Sequence, residues 1–152
     1  MAQYTGVMNA SKFILYAGSS YATATPIGFA TDVTISVSAE TRDVTNKFSA
    51  GWRYLAEGLR SYTISGSHLF AEDASNGETE LYDAIGARTP LYFKATVQND
   101  NTGSTAEING NTRYRGVAYI TSLERTGGVD DNVTFSFTAE GTGVLIRETI
   151  SE

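Results

Sequence analysis

The chain has 152 residues and a net charge of −6 at pH 7. A chain of this length suits one domain that buries roughly 70% of its unfolded surface, so we expect a single domain over residues 1–152. The absence of cysteine excludes disulfides and thiolate metal sites. Its eleven Lys and Arg residues are scattered, whereas a protein that grips nucleic acid needs a basic patch for phosphate contacts. The composition therefore argues against tight nucleic-acid binding.

The residue types favour strands over helices. Fifteen Gly, nine Tyr and seven Phe accompany abundant Thr and Ser, a mixture typical of strands and turns. The sequence shows no basic start followed by an apolar stretch of signal-peptide length, and no apolar run of the 18 residues that a membrane helix needs. We expect a mainly β protein with one short helix that assembles in a cytoplasm.

The first half of the chain predicts three strands. Residues 1–11 are small and polar, and we expect them to form a flexible N-terminal arm. Strands are predicted over 12–16, 27–38 and 60–70, because apolar residues recur at every second position in the two longer segments. Such alternation indicates strands with one face on a core and one face in water.

A long segment, residues 39–58, separates the second and third predicted strands. Hairpin loops usually contain 2–5 residues, and longer ones tend to be functional. This segment also contains apolar and aromatic side chains that need a surface to lie on. They are Val44, Phe48, Trp52, Tyr54 and Leu55. We interpret residues 39–58 as an assembly arm.

One helix is predicted after residue 75. Ser75 and Glu78 have the spacing of a capping box, and Gly86 is placed to end the helix in the left-handed conformation. An apolar stripe at helical spacing follows the cap. It comprises Leu81, Tyr82 and Ile85.

The last third of the chain predicts three strands and a C-terminal tail. The strands cover 90–98, 112–124 and 129–140, with a polar loop over 99–111. The tail, residues 144–152, starts with an apolar triplet, Val144, Leu145 and Ile146. Because chain ends fray unless they are tied down, we expect this triplet to dock on the same subunit or the next.

Catalytic and metal-binding patterns are weak. A catalytic triad would need the single histidine, His68, which lies in a predicted strand and is expected to be structural. Calcium ligands are conceivable at 73–78 and 130–132, but helix capping and turn formation explain these residues better. A sugar-stacking platform would require Tyr92, Tyr114 and Tyr119 to face solvent together. We expect no enzyme activity, no metal and no cofactor.

A series of short motifs runs along most of the chain. In order, they are Lys12-Phe13-Ile14-Leu15-Tyr16, Thr31-Asp32-Val33-Thr34, Asp43-Val44-Thr45, Gly51-Trp52, Gly58-Leu59, Tyr62-Thr63-Ile64-Ser65-Gly66, Tyr119-Ile120-Thr121-Ser122-Leu123 and Gly141-Thr142-Gly143. Their order and spacing resemble the major tail tube proteins of long-tailed, non-contractile (siphovirus-type) bacteriophages. This resemblance implies an antiparallel β-barrel or sandwich with one helix, stacked as six-membered rings into a tube.

The resemblance also implies partners and roles. The assembly arm, the N-terminal arm and the C-terminal tail would mediate ring stacking in the virion tail. The partners would be the protein itself, a tape-measure protein during assembly, and DNA that passes without base readout. The polar faces of the inner strands would line the channel. Lumen-facing candidates are Thr34, Ser36, Ser38, Thr134, Ser136, Thr138 and Glu140, a set that a one-residue shift of register would invert.

Three other classes stay open at this point. A tube protein of a contractile tail, a bacteriocin or a secretion needle would share the architecture. A monomeric β-sandwich that binds carbohydrate or acts as an adhesin would fold its long arm onto its own sheet. An enzyme is the third class, and no motif favours it.

Overall fold

The computed structural model describes residues 13–28, 30–71, 76–97 and 110–151. These residues form seven strands and one helix. In chain order they are β1 (Phe13–Gly18), β2 (Thr25–Pro26), β3 (Ala30–Asp43), β4 (Leu55–Leu69), α1 (Glu78–Ala87), β5 (Leu91–Val97), β6 (Thr112–Thr126) and β7 (Thr134–Thr149). The mainly β fold with one short helix is confirmed. The N-terminal arm predicted over 1–11 lies outside the described residues.

The seven strands form one antiparallel sheet in the order β2-β1-β5-β6-β7-β4-β3. The sheet is not closed by hydrogen bonds, since β2 and β3 are its two edges. It is nevertheless strongly curved, because Cα atoms of β1 come within 8 Å of Cα atoms of β3. The described chain is thus an open, curled sheet, intermediate between a sandwich and a barrel.

The core lies on the concave side of this sheet. Along β4, Tyr62, Ile64, Gly66 and His68 are buried while the residues that alternate with them are half-buried, and β7 repeats the pattern with Phe135 and Phe137. This is the period-two burial that the alternating sequence predicts. Further buried side chains come from β1, β5, β6, the helix and the segment after β2. They include Leu15, Ala17, Ile27, Leu81, Phe93, Ala95, Ala118 and Ile120.

Helix α1 begins and ends later than the sequence predicts. Its N-cap is Gly77, whose amide donates to the Glu80 carboxylate at 2.8 Å, so Glu80 rather than Glu78 closes the first turn. Glu78 instead pairs with Arg125 on β6. The left-handed residue at the C-terminus is Arg88 (φ 57°), and Gly86 lies inside the helix. The three-residue spacing of a capping box fits Gly77 with Glu80 as well as Ser75 with Glu78. Because Glu78 pairs with Arg125 on β6, it is Glu80 that caps the helix. Ser75 lies outside the described residues.

The predicted assembly arm is in part a continuation of the β3–β4 ladder, to which it contributes residues 39–43 and 55–58. Pairing runs from Ala30 opposite His68 to Asp43 opposite Leu55, with shifts of register near residues 31 and 40. Only residues 44–54 form the connection at the tip. β7 pairs with β4 only between Thr63 and Leu69. The outer part of the hairpin therefore separates from the β6–β7 ladder.

The apolar triplet near the C-terminus belongs to β7 and pairs with β6. Arg115 lies opposite Ile146, and Tyr114 opposite Arg147. Leu145 packs against the core, whereas Val144 is 77% exposed. The triplet is thus a strand segment that presents alternate residues outward. None of the helices in the described ranges is long and apolar enough to cross a membrane.

Candidate assembly surfaces

The convex side of β3, β4 and β7, continued by residues 119–126 of β6, is a polar face. The register sets Ser36, Thr63 and Glu140 side by side, and does the same for Thr34, Ser65 and Thr138. All seven lumen-facing candidates lie on this side, and β4 adds four polar residues that the sequence prediction did not include. Those four are Ser61, Thr63, Ser65 and Ser67. The predicted set therefore shares one face, although its position in a lumen stays a prediction.

Hydroxyl groups and carboxylates make up the chemistry of this polar face. Ser38 and Ser61 share a hydrogen bond of 2.9 Å between their hydroxyls. Where β3, β4 and β7 lie side by side (residues 32–38, 61–69 and 134–140), the charged members, Asp32 and Glu140, are acidic, and Glu124 of β6 adds a third carboxylate. No residue on this face within that stretch is Lys or Arg, and Arg42 follows farther along the same side of β3. This central part of the face is anionic and offers no cation to a phosphate.

Two strand edges flank the polar face. Along β3, the described residues pair only with β4. On the other side, β5 pairs with β6 only as far as Ala118, so residues 119–126 have β7 as their one strand partner in the described chain. Unpaired edges of this length promote pairing with another chain.

The hairpin tip has a defined conformation. Tyr54 donates its amide to the Thr45 hydroxyl, Phe48 donates to the Asn46 carboxamide, and Asn46 donates to the Ser49 hydroxyl, each at 2.9 Å. Ser49 is buried at the centre of this network, with 5% of its surface exposed. The hydrogen bonds fix the backbone that presents the aromatic side chains, so little ordering entropy remains to be lost on contact with a partner.

Large apolar side chains cover the outer hairpin. Phe48 is 97% exposed and Trp52 is 75% exposed, and the other predicted members of the arm are also solvent-exposed. The full exposed set on the hairpin comprises Val37, Val44, Phe48, Trp52, Tyr54, Leu55 and Leu59. Val37 and Leu59 were absent from the sequence prediction, because one alternates within a predicted strand and the other adjoins one. Exposed apolar patches of this kind mark interaction sites.

A charged pair lies beside the tip. Asp43 accepts from the Thr45 amide at 2.9 Å and lies 3.5 Å from the Arg53 guanidinium. Hydrogen bonds from Thr45, and then from Arg53, lower the pKa of the Asp43 carboxyl. The base of the tip therefore keeps its negative charge at neutral pH.

A groove opens where β4 and β7 diverge. It has a volume of about 530 Å³, with Leu59, Val144 and Leu145 among its apolar lining residues. Tyr62 closes its inner end, donating its hydroxyl to the Val117 carbonyl at 2.6 Å. Burial raises the pKa of this phenol, so it stays protonated as a donor. Tyr62 thereby ties the hairpin base to the β6–β7 ladder.

Two glycines provide the space for the Tyr62 ring. A Cβ atom at Gly141 would lie 2.2 Å from the ring, and one at Gly116 would lie 2.5 Å from its hydroxyl. Real Cβ atoms do not come this close to another heavy atom. The position of the Tyr62 ring therefore depends on glycine at both positions, a dependence that no sequence pattern indicates.

His68 is buried in the core and stacks on Phe135, with ring centroids 5.0 Å apart. Burial lowers the pKa of its imidazole to about 4. No group of three or more potential metal-ligating side chains occurs in the described ranges. Residue 130 lies in an exposed turn. Residues 73–75 of the other calcium candidate lie outside the described chain.

The three tyrosines considered for a sugar platform do not share a surface. Tyr92 packs edge-on against Tyr21 at 4.9 Å. Tyr114 packs against the core from the opposite side of the β5–β6 ladder, and Tyr119 lies on the polar face opposite Glu140. The three tyrosines therefore do not form the shared solvent-facing platform that would have favoured a carbohydrate-binding module.

The fold and its exposed edges define a structural β-sheet subunit. The family model described as "Phage tail tube protein" matches residues 7–147, and the chain belongs to this family. It is a tail tube subunit, as the order of its motifs predicted. No curated protein matches the chain at a significant level.

Solved structures share this fold. A chain from the tail of an empty gene transfer agent particle, refined with C6 symmetry, is 23% identical (TM-score 0.72, covering 92% of this chain and 98% of that one). The SPP1 tail tube is 17% identical (TM-score 0.70, 96% and 81%). A chain of the sheath-tube complex of an extracellular contractile injection system is also 17% identical (TM-score 0.71, 97% and 95%). Tail tubes and the tube of a contractile injection system thus resemble the chain about equally in fold.

Proposed function

We propose that six copies of the chain form a ring, and that stacked rings form the tube of a non-contractile phage tail. The observation that carries this proposal is the polar face of β3, β4, β7 and β6, bounded by an unpaired edge on each side. Pairing β3 of one copy with residues 119–126 of the next would remove both edges at once. A head-to-tail contact of this kind closes a ring when the rotation between neighbouring copies is a whole-number fraction of a full turn. The C6 symmetry of the related gene transfer agent tail supports six copies.

The dimensions of such a ring suit a conduit. Four strands per copy give about 24 strands, and a spacing of about 4.8 Å makes the wall roughly 115 Å around, or more than about 35 Å across. The polar face would then line the lumen. Its carboxylates repel phosphates, so DNA would pass without being held and without readout of its bases. A tape-measure protein would occupy the same space during assembly in the host cytoplasm.

The exposed hairpin and the outward-facing residues Val144 and Ile146 would contact the neighbouring ring. The chain has no catalytic task in this proposal, because its surfaces serve pairing and passage. A contractile tube remains the second candidate, supported by the fold shared with the contractile injection system tube.

Negative-stain electron microscopy of the purified protein at high concentration tests the proposal. We expect rings or hollow tubes with six-fold end views. Mass photometry at intermediate concentration should show monomers and hexamers without a ladder of open oligomers. Uniform monomers at every concentration, even with preformed tube fragments added as seeds, would contradict ring formation.

A further inference from the structure

The two ends of the subunit carry different exposed apolar side chains. Strand β4 has 15 residues and therefore spans roughly 50 Å at about 3.3 Å per residue. The hairpin tip follows β3 at one end of β4. The β6–β7 turn, residues 127–133, lies at the other end, where the Phe70 amide donates to the Val133 carbonyl at 2.9 Å. Val129 in this turn is fully exposed, and Val133 is 41% exposed.

The charges at the two ends are opposite. Residues 42–54 contain three exposed cations, Arg42, Lys47 and Arg53, against the single carboxylate of Asp43. The β6–β7 turn contains two exposed carboxylates, Asp130 and Asp131, and no cation within 127–133. A basic aromatic tip and an acidic valine-bearing turn are complementary in both sign and polarity.

The geometry also excludes contact between these surfaces within one subunit. Because they lie at opposite ends of β4, the tip can meet the turn only on another copy. A contact between two different surfaces of the same protein is head-to-tail, and it propagates along an axis unless it closes. The axis here would run along the strands of the polar face.

We infer that the hairpin tip of one subunit docks on the β6–β7 turn of a second copy. Phe48 and Trp52 contact Val129 and Val133, while the cations of residues 42–54 lie against Asp130 and Asp131. This contact rests on the proposed tube and specifies which surface receives the hairpin. The β6–β7 turn looks like an ordinary connection in the sequence. In this inference it is the surface that receives the hairpin tip when rings stack.

Charge reversal with restoration tests the pairing. The D130K/D131K variant should form rings, but its critical concentration for tubes should rise about tenfold or more, since like charges then face each other. R42E/K47E should show the same loss, and it leaves the Arg53–Asp43 pair intact. A variant with all four substitutions should regain tubes. The D83K variant, which reverses one exposed charge on α1, is the control and should assemble normally.

A cross-link provides a second measurement that does not depend on charge. The chain has no cysteine, so cysteines placed by K47C in one preparation and D130C in another can form only an intermolecular disulfide when the two are mixed. The aromatic side chains stay in place. We expect a disulfide-linked dimer in assembled tubes, and none above background when K47C is mixed with V144C.

The outcomes separate the inference from the proposed function. Tubes that form normally in D130K/D131K, without the K47C–D130C cross-link, would overturn the receptor while leaving the tube intact. Preferential cross-linking to V144C would move the receptor to the groove beside β7. Failure of the unmodified protein to form rings or tubes would count against the proposed function, and the inference would fall with it.

Discussion

The strongest prediction from the core concerns His68 and acid stability. Its imidazole stacks on the rings of Phe135 and Phe137, with centroids 5.0 and 5.7 Å away, and none of its surface is exposed. Neither ring nitrogen has a hydrogen-bond partner among the described residues. Burial disfavours the charged form and lowers the pKa of His68 from 6.5 to about 4.

The sign of the pH dependence follows from this shift. Below pH 6.5 the unfolded chain binds a proton that the folded chain does not accept until about pH 4. The contribution of His68 to the free energy of unfolding is therefore complete above pH 6.5 and declines as the pH falls toward 4. A shift of about 2.5 units corresponds to roughly 3 kcal/mol.

The variant that tests this reasoning is His68→Phe. A second variant, His68→Leu, tests whether the result depends on how the replacement side chain packs. We expect the free energy of unfolding of His68→Phe to equal or exceed that of the parent at pH 7, because no buried nitrogen is left unpaired. Between pH 6.5 and 4 the parent should lose roughly 3 kcal/mol more than the variant. Urea denaturation at several pH values, followed by tryptophan fluorescence and circular dichroism on unassembled subunit, measures both.

The carboxylates provide the internal control. Both proteins contain the same acidic residues, so the difference between the two curves isolates the imidazole. Parallel curves from pH 7 to 4 would show that His68 is solvated or paired, and the argument from burial would be wrong.

Three further predictions concern the surfaces and the glycines. Trp52→Ala should leave the free energy of unfolding nearly unchanged, since the side chain is 75% exposed, but should abolish long tubes in electron micrographs; normal tubes would remove Trp52 from the interface. Gly141→Ala should destabilise the subunit by about 1–3 kcal/mol in urea because its Cβ would overlap Tyr62, whereas Gly86→Ala should stabilise it by about 0.5–1 kcal/mol. Equal changes in the free energy of unfolding for the two glycine variants would contradict the packing of the Tyr62 ring on Gly141. Glu140→Lys tubes should retain duplex DNA at low salt and release it as salt rises, whereas parent tubes should retain none; equal retention would place Glu140 outside the lumen.

Local patterns in the sequence predicted much of the candidate site. The alternation of Thr34 with Ile35, and of Thr138 with Phe137, was sufficient to assign each polar residue to the face away from the core, because side chains alternate along any strand. The exposed aromatic residues of the arm were predicted from a different local feature, because a connection of that length with many apolar residues needs another surface to contact. The error at α1 shows the limit, since the choice between Glu78 and Glu80 depends on a contact with Arg125 that lies 47 residues away.

What the sequence by itself determined about this protein is its class of fold, the face of each polar strand residue and the presence of an exposed arm. Only the tertiary structure decided which strands are neighbours, and therefore that Ser61, Thr63, Ser65 and Ser67 complete the polar face. It also decided that the Tyr62 ring occupies the space above Gly141, and that Val129 lies at the opposite end from the hairpin tip. The reason is physical: alternation is a property of one strand, whereas strand order and divergence depend on pairing between residues far apart in the chain.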